Sequence, residues 1–208
     1  MSTTRGGRPA DDYLEDTLGI FLDRLASGSP APGGGAAAAV AVAMAAALAG
    51  MAARFAEEHL DDSPGLIARA DSLRRSVAPL AQADARAYAD VLAALDLPRE
   101  PDPETRRSAI GSALSSAADI PLAVAEIAAE VADLAANLAA RGNPNLRGDA
   151  IAAGLLADAG ARTASVLVKI NLGDSSDGRS SRAEKLAKST TRAAQAGSRT
   201  TPNRRLSR

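Results

Sequence analysis

The stretch that decides the fold runs Pro32-Gly33-Gly34-Gly35-Ala36-Ala37-Ala38-Ala39-Val40-Ala41-Val42-Ala43-Met44-Ala45-Ala46-Ala47-Leu48-Ala49-Gly50-Met51 and continues to His59. Val40, Met44, Leu48, Met51 and Phe55 recur at helical spacing, and the other faces are nearly all alanine. The pattern predicts a helix from about Gly34 to His59. A helix with no polar face over roughly five turns must be buried on most sides. Small side chains let neighbouring backbones approach closely, which places this helix at the centre of a bundle. The uncharged run from Ala31 to Ala53 is also long enough to cross a bilayer. Ala and Gly gain little from lipid compared with Leu or Phe, and the flanks lack an aromatic belt. A buried helix, without membrane contact, is therefore the expected reading.

The surrounding chain supports an all-α fold. Its 208 residues are 46% hydrophobic but only 2% aromatic, and about a quarter are alanine. Val, Ile, Thr and aromatic residues are too sparse for a β-sandwich. No Cys is present, which excludes disulfides and thiolate metal sites. A first helix is expected from an Asp11-Asp12 cap to about Ser27, with Leu14, Leu18, Phe21, Leu22 and Leu25 on one face. Pro and Gly between Gly28 and Gly35 break it. A third segment, from near Pro64 to Asp96, should kink at Pro79, and a fourth, ending at Arg141, should kink at Pro121. Asn143-Pro144-Asn145 opens a fifth helix from about Leu146 to Leu172. A last helix between Ser181 and Ala196 is only weakly indicated.

Charge divides the chain into three parts. Residues 1–10 carry +2, residues 11–173 carry −9 and residues 174–208 carry +6. The first part reads as a flexible N-terminal segment, the second as one helical domain, the third as a solvated, partly disordered tail. An acidic body repels phosphate, so nucleic acid is a poor partner. Met1 to Ala10 has no apolar core and is not a secretory signal. A cytoplasmic location is expected.

Several residues are candidates for chemistry. Gly33, Gly34 and Gly35 at a helix start present backbone N–H groups beside the positive end of the helix dipole, a place for a carboxylate or phosphate. They serve tight turning and close packing equally well. Asp84 lies in Gln82-Ala83-Asp84-Ala85-Arg86-Ala87-Tyr88, flanked by alanine. Facing inward it would have a raised pKa and could exchange a proton; facing outward it is an ordinary surface acid. Asp149, behind Asn143-Pro144-Asn145, can be a helix cap or a site residue. Lys169, in Lys169-Ile170-Asn171-Leu172, suits a helix C-terminus. His59 has no second His with which to hold a metal, and no metal site is expected.

As an ordered set, these pieces resemble the cyclodeaminase/cyclohydrolase family of folate enzymes. The resemblance rests on Ser29-Pro30-Ala31-Pro32-Gly33-Gly34-Gly35, Asp84-Ala85-Arg86-Ala87-Tyr88, Leu97-Pro98, Asp119-Ile120-Pro121-Leu122, Gly142-Asn143-Pro144-Asn145, Asp149 and Lys169-Ile170-Asn171-Leu172. It covers about Leu14 to Leu172. It implies an orthogonal helical bundle that forms a homodimer and acts on the one-carbon unit at N5 and N10 of tetrahydrofolate. The activity is then that of formiminotetrahydrofolate cyclodeaminase or methenyltetrahydrofolate cyclohydrolase, with no cofactor beyond the tetrahydrofolate derivative as substrate. Asp84 is implied as the acid/base group, and Asp149 as its orienter or a pterin ligand. Gly33, Gly34, Gly35, Asn143, Lys169 and Asn171 are implied to bind substrate. The sequence departs from the family pattern at Glu57-Glu58-His59-Leu60, at Gly148 where Ser is frequent, and at Leu167 where Asn is common. The alternative is a diverged, inactive binding or interaction protein of the same fold.

Overall fold

The computed structural model describes residues 12–173 and 176–199. Those residues form an all-α bundle with no strand among them. The helices are α1 Leu18–Leu25, α2 Gly34–Arg54, α3 Ser63–Val77, α4 Leu80–Leu95, α5 Pro103–Ala117, α6 Asp119–Arg141, α7 Arg147–Leu172 and α8 Gly178–Arg199, with a 3-10 turn at Pro144–Leu146. Helices α2, α6 and α7 pack on one another, α3 covers α2 and α6, and α4 lies on α2 with α5 outside it.

Alanine sets how close the helices come. Ala39, Val42, Ala45, Ala49 and Ala53 of α2 are fully buried. A Cβ at Gly160 of α7 would meet Val42 Cγ2 at 2.4 Å, so glycine there admits the α2 backbone. The bulky stripe lies at the edge of the bundle: Met44 is 48% exposed and Phe55, just past α2, 58%, while Val40 and Leu48 are partly buried against the core. The helix is central through its alanines, not through its large side chains. Close backbones gain dispersion contacts along their whole length, and a large side chain between them would force them apart. Both α2 and the Pro144–Leu172 segment are long and apolar enough to cross a membrane, with mean hydropathy 2.1 and 1.4. Much of α2 is buried in the bundle.

Four expectations about the helices need correction. The first helix starts at Leu18, not at Asp11-Asp12; Thr17 caps it, its Oγ1 accepting the Ile20 N–H at 3.3 Å. Asp11 lies outside the described residues, and Asp12 instead accepts the Leu14 N–H in a turn. Helix α2 stops at Arg54, short of His59, and residues after it form turns. Pro79 ends α3 and begins α4 as separate helices, because proline has no N–H to continue the ladder. The fourth segment breaks at Ala118, and Pro121 falls in the first turn of α6, where its missing N–H costs nothing.

The tail carries the helix expected between Ser181 and Ala196, but is packed where a solvated chain was expected. Over 178–199 it is helix α8, packed on α6 and α7. Ala183, Ala187, Thr190, Ala194 and Gly197 form its buried face. Six basic side chains lie outside that face, and their number hid the apolar stripe. Arg179 ties the start of α8 to the bundle: it donates to the Ser115 carbonyl and Oγ at 2.8 and 2.7 Å and to Asp119 at 2.6 Å. The remainder, residues 174–175 and 200–208, lies outside the described residues, as does residues 1–11.

Candidate functional site

A cavity of about 300 Å³ opens where the start of α2, the middle of α4 and the end of α7 meet. The Gly-rich turn supplies its floor: Pro30, Ala31, Gly33, Gly34 and Gly35 line it. Two prolines and three glycines forbid helix until Gly34, so the first turn of α2 begins here with its N–H groups facing the space. From α4 come Asp84, Ala87, Tyr88 and Val91, residues three or four apart on one face. Leu167, Ile170 and Asn171 arrive from the last turns of α7, and Leu114 and Ala117 from α5.

Asp84 is held at the helix start. Its Oδ2 accepts the Ala36 N–H at 3.1 Å. A Cβ on Gly35 would lie 1.9 Å from Asp84 Oδ1, so only glycine leaves room for the carboxylate in this position. Burial pushes the Asp84 carboxyl above the ordinary aspartate range, and the Ala36 hydrogen bond works against that rise. Among the described lining residues Asp84 is the one carboxylic acid, and no Lys, Arg or His is with it. A carboxylate against apolar walls suits a cationic or proton-exchanging ligand and disfavours a second anion.

Behind Asp84 lies a cluster the sequence reading did not reach. Gln82, one step before Ala83 on α4, accepts the Tyr13 N–H at 3.2 Å and is buried. Tyr13 stacks edge-on with Phe21 at 5.7 Å, and Arg24 lies 5.9 Å above its ring. Burial pushes the Tyr13 phenol up, Arg24 opposes this, and Asp84 and Asp16 add to it. The spacing of Tyr88 and Val91 from Asp84 could have shown them on its face. No signal in the sequence joins Tyr13 to Gln82, sixty-nine residues away.

The sequence-predicted site residues divide into two groups. Gly33, Gly34, Gly35, Asp84 and Asn171 line the cavity. Lys169 is exposed two residues before Asn171 and acts on Glu184 of α8, lowering that carboxyl's pKa after Lys188 does. Asn143 and Asp149 stand at the opposite end of the molecule. Asn143 Nδ2 donates to the Phe55 carbonyl at 3.0 Å, and its Oδ1 accepts the Asn145 N–H at 2.9 Å, capping the 3-10 turn. Asp149 is half-buried in the first turn of α7. At 1.5 Å per residue it lies about 33 Å from Asn171 along that helix. Within one chain, therefore, Asp149 does not orient Asp84, and Asn143 does not reach the cavity. Leu167, where the resembled family commonly has Asn, does line it. Among the described residues no three His, Asp or Glu side chains converge on a metal position.

Comparison with known proteins bears on the family and the fold. The sequence profile described as formiminotransferase-cyclodeaminase matches residues 17–192. A methenyltetrahydrofolate cyclohydrolase of Methylorubrum extorquens is 36% identical over 164 residues, covering 75% of this chain and 79% of that protein. A formimidoyltransferase-cyclodeaminase of Sus scrofa is 35% identical over 177 residues, 81% of this chain but 33% of that longer protein. The crystal structure of a formiminotetrahydrofolate cyclodeaminase from Thermotoga maritima superposes with a TM-score of 0.79 at 28% identity, over 88% of this chain and 94% of that one. A profile match over most of the chain, two relatives above 30% identity and a shared bundle leave one assignment: the chain belongs to the formiminotransferase-cyclodeaminase family.

Proposed function

We propose that this protein is a folate one-carbon enzyme acting at N5 and N10 of tetrahydrofolate, as formiminotetrahydrofolate cyclodeaminase or methenyltetrahydrofolate cyclohydrolase. The observation that carries the reading is the Asp84 carboxylate, held on the Ala36 N–H inside an otherwise uncharged cavity. Both reactions need a group of this kind. In cyclodeamination, N10 attacks the formimino carbon on N5; N10 gives up a proton, the amine gains one, and ammonia leaves. In cyclohydrolysis, water attacks the methenyl carbon; the water gives up one proton on attack and its second as the formyl carbonyl forms, N5 gains one of the two while the other goes to solvent, and the C–N5 bond breaks to open the ring. Each passes through a tetrahedral carbon, and each starts from a cationic amidinium that a carboxylate attracts. One carboxylate with a raised pKa can take the first proton and return it to the leaving nitrogen.

The other lining residues fit supporting roles. Backbone N–H groups at Gly34 and Gly35 are free to meet the polar edge of the pterin. Asn171 offers an amide to the same edge, while Lys169 acts on Glu184 of α8 and is not among the lining residues. Tyr88, Val91, Leu114 and Leu167 supply apolar walls for the flat ring. The similarity to a cyclohydrolase and a cyclodeaminase supports an enzyme over an inert helical module. A homodimer in the cytoplasm, without membrane or nucleic-acid contact, and with no cofactor besides the folate substrate, completes the reading.

Two absorbance assays test it. The near-ultraviolet band of methenyltetrahydrofolate should appear from 5-formimino substrate or decay faster than the blank. Replacing Asp84→Asn should retain the fold and lower turnover by about 10²–10⁴-fold, the range for removal of a general acid/base. Full turnover in that variant removes Asp84 from the chemistry, and two silent assays with native protein remove the reading.

A further inference from the structure

Helix α1 grips the bundle through few groups. Of its own residues only Phe21 is buried, while Leu18, Ile20 and Leu22 are exposed. Its firm attachment comes just before it, at Tyr13, which is 8% exposed. The Tyr13 ring meets Phe21 edge-on and has Arg24 above it, so both turns of α1 are fixed on this one residue. Arg24 Nε lies 3.1 Å from Asp16 Oδ2, which pairs the charges on that side. Tyr13 in turn is fixed on α4, its N–H donating to Gln82 Oε1 at 3.2 Å. Gln82 is 5% exposed. Burying an amide is costly unless it is hydrogen-bonded, and this bond crosses from one end of the chain segment to α4.

The stretch from Tyr13 to Ala36 is therefore attached to α4 twice. Gln82 holds its start, and Asp84, two residues on, holds its end through the Ala36 N–H at 3.1 Å. Between these points run α1 and the Gly-rich turn that floors the cavity. The two attachments differ in chemistry. Asp84 accepts as a carboxylate, and a charge-assisted hydrogen bond is about twice as strong as a neutral one. When Asp84 takes up a proton, its grip on Ala36 weakens. The amide of Gln82 carries no charge to lose, so its grip on Tyr13 is the same in both states of Asp84. We propose that Gln82 and Tyr13 are positioning residues for Asp84: their hydrogen bond holds the floor of the cavity in place while Asp84 exchanges its proton. The tether stands without the folate reading; its effect on turnover rests on that reading.

The titratable groups around the tether are Asp84 and Tyr88 of α4, Arg24 of α1, and Tyr13 and Asp16 before it; α2, α5 and α7 bring no charged side chain to the cavity. With the tether cut, the Ala36 N–H drifts from the carboxylate and burial acts on Asp84 unopposed. Two variants of the full-length protein test this. Gln82→Met keeps the length of the side chain and loses the amide oxygen, whereas Gln82→Glu keeps an oxygen acceptor. Hydrogen exchange over residues 28–36, read without substrate, should quicken about tenfold in Gln82→Met, as for one lost hydrogen bond, and stay slow in Gln82→Glu. The Asp84 carboxyl carbon resonance should titrate at higher pH in Gln82→Met than in native protein. Unchanged exchange in Gln82→Met, or fast exchange in Gln82→Glu, would overturn the tether; if Gln82→Met does not fold, Gln82→Glu alone decides. An Asp84 resonance that titrates at the native pH or below would overturn the positioning of Asp84. In turnover, the acid limb of the kcat/KM profile, which reports the free enzyme, should move to higher pH with that resonance. A merely structural loss would lower the active fraction and leave the profile where it is. Native protein silent in both absorbance assays would sink the folate reading, and the exchange and resonance data would still decide the tether.

Discussion

At the scale of single residues, the site depends on one missing side chain. Gly35 leaves the room that Asp84 fills, since a Cβ there would lie 1.9 Å from Oδ1. Gly35→Ala should therefore move the carboxylate off the Ala36 N–H while the helix itself persists, because alanine favours helix over glycine by about 1 kcal/mol. The expected outcome is turnover reduced at least about tenfold with an unchanged circular dichroism spectrum. Titration gives a second check. Burial raises the Asp84 pKa, so the native state binds this proton more tightly than the unfolded chain does. The stability linked to that proton is present below the unfolded pKa and is lost as pH rises through the folded one. Asp84→Asn should thus gain stability relative to native protein at neutral pH, and the gap should close in acid; melting curves across that range measure it. The sequence showed Asp84 between alanines, which made two states imaginable. Only the opposing start of α2 decides that it faces inward.

At the scale of elements, α2 shows what a helical pattern does and does not specify. Its period and its start at Gly34 are evident, while its end at Arg54 falls more than a turn short of the expected His59. Which face turns inward is not evident, because the bulky stripe is the usual guide and here it sits at the edge of the bundle, with the alanines at its centre. Interaxial distance is the reason: alanine and Gly160 allow contact between backbones that Met44 or Leu48 would prevent. Enlarging Ala45, which is fully buried, should therefore be costly. Ala45→Leu is expected to lose about 1–3 kcal/mol in a denaturant titration, the usual penalty for overpacking. The proline positions were legible as interruptions, but not as complete breaks. Both α3 and α4 pack on α2 and α6, so the break at Pro79 comes from the missing N–H and not from a change of partner.

At the scale of the whole molecule, α8 closes the bundle, with Ala183, Ala187 and Ala194 buried against it. Removing residues 176–208 should uncover α6 and α7, lower the melting temperature by at least about 5 °C and promote aggregation, measurable by thermal unfolding with light scattering. A freely solvated tail would leave both unchanged. The sequence by itself determined that the chain is helical, that its interfaces are built from small residues, and that a carboxylate and a glycine turn belong to one ordered motif set. The first two follow from local composition and spacing, and the third from the resemblance to a known family. Tertiary structure alone decided that Asp84 meets Gly35, that Asn143 and Asp149 stand a helix length away, and that the basic tail packs. Each of those depends on which faces of distant helices oppose one another, and helical periodicity carries no information about that partner.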